Sequence, residues 1–277
     1  MPEEDRGTLY DMAHAAIQDW SISTAGTLEG TYGAAGVARA LPDDEVHVWF
    51  AASDVFWNDD LARRFLMLLS TDELARNERA AVDADRRLYV AAHGLVRLIL
   101  TEYAPAPPAS WRFLSGPFGK PTAIDDAGRT PVQFSLSHTR GMVAIALTRS
   151  CPVGVDVEEM IDQPLDDLKR MVLGEHEAAD LLAHLPEMHT RRFLEFWTLK
   201  EAYLKARGVG LQQPPGEIEF QLEPGKRPTI RCANANDDEP EAWHFWNAFS
   251  FSGHVAAAAV HCHSKDRMTL RVFRAIP

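Results

Sequence analysis

Two stretches of this chain are echoed further along it, in the same order. FLSGPFGKPTAI (113–124) is answered by FQLEPGKRPTI (220–230), and FSLSHTRGMVAIAL (134–147) by FSFSGHVAAAAV (249–260). One echo is weak evidence, but two in order indicate duplication of a unit of roughly 110 residues. Each copy also carries a long helical run, RRLYVAAHGLVRLILTEY (86–103) in the first and RRFLEFWTLKEAYLKARG (191–208) in the second. The expectation is an α+β chain of two similar lobes related by a pseudo-twofold. Each lobe would be a long helix packed on a small, mainly antiparallel sheet. The cleft between such lobes is where ligand sites concentrate.

The remaining punctuation sets provisional boundaries. Residues 1–42 hold much Gly, Ala, Ser and Thr and one short periodic run around Asp11–Trp20; they read as a partly flexible extension. Residues 43–152 form the expected N-terminal lobe and 153–277 the C-terminal lobe. VHVWFAA from Val46 alternates as a strand, and Ser70-Thr71-Asp72-Glu73 opens a helix with capping chemistry. The first long helix stops before the proline-rich APAPPAS at 104–110. At 277 residues and 46% hydrophobic content, the chain can bury a sizeable core.

Charge and cysteine usage exclude several classes. With a net charge of −12 the surface suits neither nucleic acid nor an anionic membrane. Cys151, Cys232 and Cys262 are odd in number, far apart and free of any CxxC spacing, so no disulfide framework or zinc module is expected. No apolar run reaches membrane-span length and the first residues are acidic, so a cytoplasmic location is expected.

The chemistry concentrates at GVDVEE (154–159). In a strand, Asp156 and Glu158 share one face while Val155 and Val157 take the other. On the second long helix Trp197, Glu201 and Lys205 recur at i, i+4 and i+8, close to one face. If Glu201 faces the same cleft, three carboxylates make a hard oxygen-donor set suited to Mg²⁺ and phosphate chemistry. Taken singly, each feature has a plainer reading. The DxE can be a solvated strand end, Glu201 and Lys205 a helix ion pair, His138 a packed loop residue and Lys120 a turn residue. HCH at 261–263 reads as structural or exposed.

Taken together, FGKP (118–121), SLSH (135–138), GVDVEE (154–159) and FWTLKEAYLKARGVGL (196–211) resemble the surfactin-synthetase-type (group II) 4′-phosphopantetheinyl transferases, over about residues 46–260. The resemblance implies that family's fold and its reaction. The phosphopantetheine arm of coenzyme A would pass to a serine of an acyl or peptidyl carrier protein, releasing adenosine 3′,5′-bisphosphate. It further implies that Asp156, Glu158 and Glu201 hold Mg²⁺, with Mn²⁺ as an alternative, and that Glu201 is the candidate general base. Lys205 would steady the pyrophosphate and leaving group, with Lys200 as a further candidate. Ser137 and His138 match the position contacting the 3′-phosphate of coenzyme A, and Lys120 the one beside the nucleotide. Arg86 and Arg87 lie near where family members place basic residues for that phosphate. The segment from Met171 to Arg192, with Arg191 and Arg192, is the candidate carrier-docking surface, and a monomer that is internally a pseudo-dimer is expected. A non-catalytic coenzyme A or carrier-binding module, or a metal-dependent phosphohydrolase, are the alternatives.

Overall fold

The first lobe begins with β1 (Ile22–Leu28), β2 (Glu45–Ala52), α1 (Asp59–Leu68), α2 (Thr71–Glu78) and the long α3 (Asp83–Tyr103). The hairpins β3 (Arg112–Ser115) with β4 (Pro121–Ile124) and β5 (Gln133–Thr139) with β6 (Met142–Thr148) complete it. The second lobe starts with β7 (Val153–Glu159) and runs through α4 (Asp166–Val172), α5 (Glu175–Ala183) and the long α6 (His189–Arg207). It ends with the hairpins β8 (Glu219–Gln221) with β9 (Thr229–Cys232) and β10 (Trp243–Phe251) with β11 (His254–His261), before a last strand β12 (Thr269–Ala275). This is a computed structural model, and it describes residues 22–28, 38–52, 59–161, 166–232, 239–251, 253–263 and 268–275. The periodic run around Asp11–Trp20 lies outside them.

The duplication is visible in the topology. Strands β2, β6 and β5 lie side by side in that order in one sheet, and β7, β11 and β10 repeat the arrangement in the other, antiparallel throughout. Gly141 (φ 82°) and Gly253 (φ 78°) occupy equivalent hairpin turns, where a left-handed residue is needed to match the twist of the flanking strands. Alternation along each central strand divides its side chains between two cores. Trp49, Ala51, Val143, Ile145 and Leu147 pack beneath α3. Val46, Val48, Phe50, Val153, Val155 and Val157 fill the layer between the two sheets. Ala257 and Ala259 meet Leu199, Ala202 and Tyr203 of α6. The molecule is thus helix, sheet, sheet, helix.

The lobe boundaries expected from the sequence are crossed twice. Strand β12 leaves the second lobe and inserts into the first sheet, parallel to both β2 and β1. The span 153–277 is therefore not one lobe, and the 1–42 segment contributes β1 as an edge strand. The cysteine expectation is also corrected: Cys151, just before β7, is disulfide-bonded to Cys262, just after β11, with Cα atoms 5.4 Å apart. Among the described residues no helix is long and apolar enough to cross a membrane.

A second internal likeness ties each long helix to the helix before it. Glu73 accepts from the backbone N–H of Ser70 (2.8 Å) in a capping box that opens α2, and it also receives Arg97 of α3 (2.5 Å) and His93 (2.9 Å). Glu177 accepts from the N–H of Gly174 (3.0 Å) at the start of α5 and pairs with Lys200 of α6. Arg97 is 1% exposed and Lys200 0%. Burial alone would raise the Glu73 carboxyl, but hydrogen bonds from His93, Arg97 and Ser70 outweigh it and hold the group well below the usual carboxylate range. Stability from a depressed carboxyl is complete above its unfolded-state pKa, about 4.3, and is lost as pH falls below that. Glu73→Gln leaves the Arg97 charge buried without its partner. It should cost about 3 kcal/mol at pH 7 and flatten the acid limb of stability below about pH 5, as measured by urea unfolding across pH.

Candidate active site

Gly154 lets α6 approach β7. A Cβ at this position would lie 1.9 Å from the Ala202 carbonyl oxygen and 2.6 Å from the Ala206 nitrogen, so no side chain fits there. Because Val153, Val155 and Val157 point into the inter-sheet core, Asp156 and Glu158 share the Gly154 face and meet α6. The helix runs antiparallel to the strand, so successive contacts climb one element as they descend the other. Trp197 Nε1 donates to Glu158 Oε1 (3.1 Å), and Lys205 Nζ donates to Asp156 Oδ1 (2.5 Å). Glu201 lies between them on the helix.

The first lobe closes the other side through SLSH. Val155 N–H donates to Ser135 Oγ (3.1 Å), while Ser137 Oγ donates to Asp156 Oδ1 (2.8 Å) and accepts from Lys205 Nζ (2.9 Å). Period-two alternation gives both serines the same face, so one motif stitches β5 to β7 and braces Asp156. Next along β5, His138 keeps an exposed edge. Its imidazole is held below its ordinary value, first by desolvation and then by the nearby charges of His93 and Lys205. His93 stacks on Tyr89 with ring centroids 4.0 Å apart and gives its Nδ1 to Glu73.

Electrostatically, the carboxylates feel one another. Burial, and then the charge of Asp156, raises the Glu158 carboxyl, and the same two causes in the same order raise Glu201. Asp156 is 3% exposed, and its Oδ2 is buried with no hydrogen-bond partner. Among the described residues no three His, Cys, Asp or Glu side chains are gathered at ligating spacing, and the positive charge against Asp156 is the Lys205 ammonium. The donor set still suits a hard dication. It is all oxygen, it repels itself, and it carries an orphaned lone pair on a buried carboxylate.

Other expected site residues fall elsewhere. Lys200 is corrected: its ammonium is fully buried between Glu177 and the Val172 carbonyl, and it does not reach the cluster. Arg86 is occupied by the Ala80 carbonyl (2.6 Å) and by Asp83 in the first turn of α3, and Arg87 is exposed beside it. Lys120 borders the cluster from the β3–β4 turn, but its ammonium donates to the Ala206 (2.8 Å) and Val153 (3.2 Å) carbonyls. The Tyr89–His93 pair was not anticipated. A helical i, i+4 spacing of two rings was its signal, but that spacing also describes ordinary core packing.

Comparison with known proteins gives the chain its family. The model of the 4′-phosphopantetheinyl transferase superfamily matches residues 152–260, which contain β7, α6 and the carboxylates. The 4′-phosphopantetheinyl transferase HetI of Nostoc sp. is 32% identical over 225 residues, covering 79% of this chain and 89% of HetI. The 4′-phosphopantetheinyl transferase Sfp of Bacillus subtilis is 25% identical, covering 62% and 75%. A crystal structure of Thermotoga maritima holo-[acyl-carrier-protein] synthase overlaps 42% of this chain and 66% of its own, at 25% identity and a TM-score of 0.34. The chain belongs to the 4′-phosphopantetheinyl transferase superfamily. It is an enzyme of that transferase class.

Since backbone atoms of α6 stand where a side chain at 154 would go, Gly154→Ala must push the helix off the strand. We expect a loss of about 3 kcal/mol in urea unfolding, with activity lost even in the fraction that stays folded.

Proposed function

We propose that this enzyme transfers 4′-phosphopantetheine from coenzyme A to the hydroxyl of a serine on an acyl or peptidyl carrier protein. The observation carrying the reading is the cluster of Asp156, Glu158, Glu201 and Lys205, with its buried, unpartnered Asp156 oxygen, at the seam of the two lobes. Asp156, Glu158 and Glu201 would hold Mg²⁺, for which Mn²⁺ can substitute. When bound, such an ion neutralises pyrophosphate oxygens and the charge that develops on the leaving group.

The protein's own groups divide the remaining work. Glu201, whose carboxyl burial and Asp156 make more basic than usual, accepts the serine proton directly or through a water molecule. The serine oxygen forms a bond to the phosphorus that carries pantetheine as the pyrophosphate P–O bond breaks, and adenosine 3′,5′-bisphosphate departs. Lys205, which donates to Asp156 and Ser137, would turn its ammonium to the pyrophosphate. His138 and Ser137 border the 3′-phosphate, with the β3–β4 turn beside the nucleotide. Arg86 and Arg87 are proposed only as peripheral charges, since Arg86 is held locally by Ala80 and Asp83.

The carrier would dock on the α4–α5 surface, where Met171 (73% exposed), Leu182 (75%) and Leu185 (62%) stand clear of the core. Arg192 is committed to Asp180 and Glu195, which leaves the apolar side chains as the principal contact. Between a chain of net charge −12 and an acidic partner, short-range apolar contact suits better than steering. We therefore expect KM for the carrier to change little with salt, whereas a steep rise would point to a basic docking site. A cytoplasmic monomer completes the proposal.

The direct test is intact-protein mass spectrometry of an apo carrier protein incubated with the enzyme, coenzyme A and Mg²⁺. We expect a gain of the phosphopantetheine mass that vanishes with EDTA, and a loss of rate of about a hundredfold or more in Glu201→Ala. No gain across several carriers, despite coenzyme A binding, would favour a non-catalytic binding module. Free phosphate release instead would favour a phosphohydrolase.

A further inference from the structure

The β3–β4 turn is built to deliver one ammonium across the lobe boundary. Gly116 N–H donates to the Lys120 carbonyl (2.8 Å), Gly119 N–H to the Gly116 carbonyl (3.0 Å), and Gly119 adopts φ 88°. This tight turn aims Lys120 away from its own lobe. Its Nζ donates to the Ala206 carbonyl in the last turn of α6 (2.8 Å) and to the Val153 carbonyl at the first residue of β7 (3.2 Å). A helix leaves its last carbonyls without intrahelical partners, and they form the negative end of the helix dipole, so an ammonium is well placed there.

The second lobe makes room for it. Helix α6 ends at Gly208, which is left-handed (φ 68°), and a Cβ there would come within 3.0 Å of the Lys120 Cδ. Desolvation lowers the Lys120 pKa to about 8, and the hydrogen-bond acceptors of its ammonium are carbonyls of the other lobe. These are the two elements that carry the site: β7 holds Asp156 and Glu158, and α6 holds Glu201 and Lys205.

We propose that Lys120 is a positioning residue. By binding the end of α6 and the start of β7 together, it fixes how far the helix slides along the strand, and so fixes the spacing of Glu201 from Asp156 and Glu158. On this view its side chain does not read the nucleotide. The catalytic consequence rests on the transferase reading above, but the geometric consequence does not.

The test uses the full chain and Lys120→Met, which keeps the aliphatic stem and removes the donor. Mn²⁺ affinity is measured by calorimetric titration, beside kcat, KM for coenzyme A and the thermal melt. We expect Mn²⁺ binding about tenfold weaker and kcat lower by about tenfold or more, with KM for coenzyme A nearly unchanged. A raised KM with unchanged kcat and Mn²⁺ affinity would overturn the proposal in favour of direct nucleotide contact. A lowered melt with neither kcat nor Mn²⁺ affinity changed would reduce Lys120 to a structural prop, which also overturns it. Should the Met variant fail to fold, Lys120→Gln carries the same readouts: weaker Mn²⁺ binding supports the clasp and unchanged binding overturns it. Wild-type protein that binds Mn²⁺ but transfers nothing would remove the transferase reading, leaving the clasp to be judged on Mn²⁺ affinity. Wild-type protein that binds no Mn²⁺ would overturn the clasp's proposed purpose.

Discussion

Helix α6 rests on β7 at Gly154 with its backbone where a Cβ would otherwise be. That closeness brings residues of two distant segments into one row, Glu158 with Trp197 at one end and Asp156 with Lys205 at the other. Valines on the reverse of β7 hold the strand in the inter-sheet core, so it cannot rotate to relieve the crowding of acids. A one-residue slip would send the carboxylates into that core and the valines to α6. The strand's buried face therefore enforces the polar one.

The two lobes use the same frame for different purposes. In each, a glutamate near the start of one helix both caps that helix and pairs with a buried cation on the long helix that follows: Glu73 with Arg97, and Glu177 with Lys200. This places Lys200 in the scaffold. It occupies the second lobe's counterpart of the Arg97 position and fixes α5 to α6, while Glu201 and Lys205 on the neighbouring face remain at the seam. The ion pair is costly to break because either charge left alone would be buried. It therefore locks the long helix about its own axis, which a purely apolar contact between helices does less strictly.

The parts of this arrangement governed by local rules could be read in the sequence. Period-two alternation put Asp156 and Glu158 on one face, helical spacing linked Trp197, Glu201 and Lys205, and the order of the echoed hairpins implied two sheets of one topology. Ser70 and Glu73 announced a capping box. What stayed hidden depends on pairings between distant segments. No periodicity says that β12 returns to the first sheet, or that Cys151 meets Cys262 across 111 residues. The Lys120 acceptors are backbone carbonyls, which carry no residue identity and so leave no trace in a sequence. Lys200 was ambiguous for a related reason. One step along a helix turns a side chain by about 100°, enough to leave the Glu201 face but not enough to say what it meets there.

Charge counting explains why so acidic a seam suits an anionic substrate. Three carboxylates against Lys205 leave the cluster with a formal charge of −2 if all are ionised, and a bound pyrophosphate would add more negative charge. The protein lessens the conflict in two ways visible in its structure: burial and mutual repulsion raise Glu158 and Glu201, and Lys205 with Ser137 covers one oxygen of Asp156. The other Asp156 oxygen remains buried and unpaired, a cost that persists unless a cation shares it. A divalent ion would serve carboxylates and phosphates together and release Lys205 toward the leaving group. If cation and pyrophosphate bind there as proposed, each would offset charge that opposes the other, and their binding would be mutually dependent.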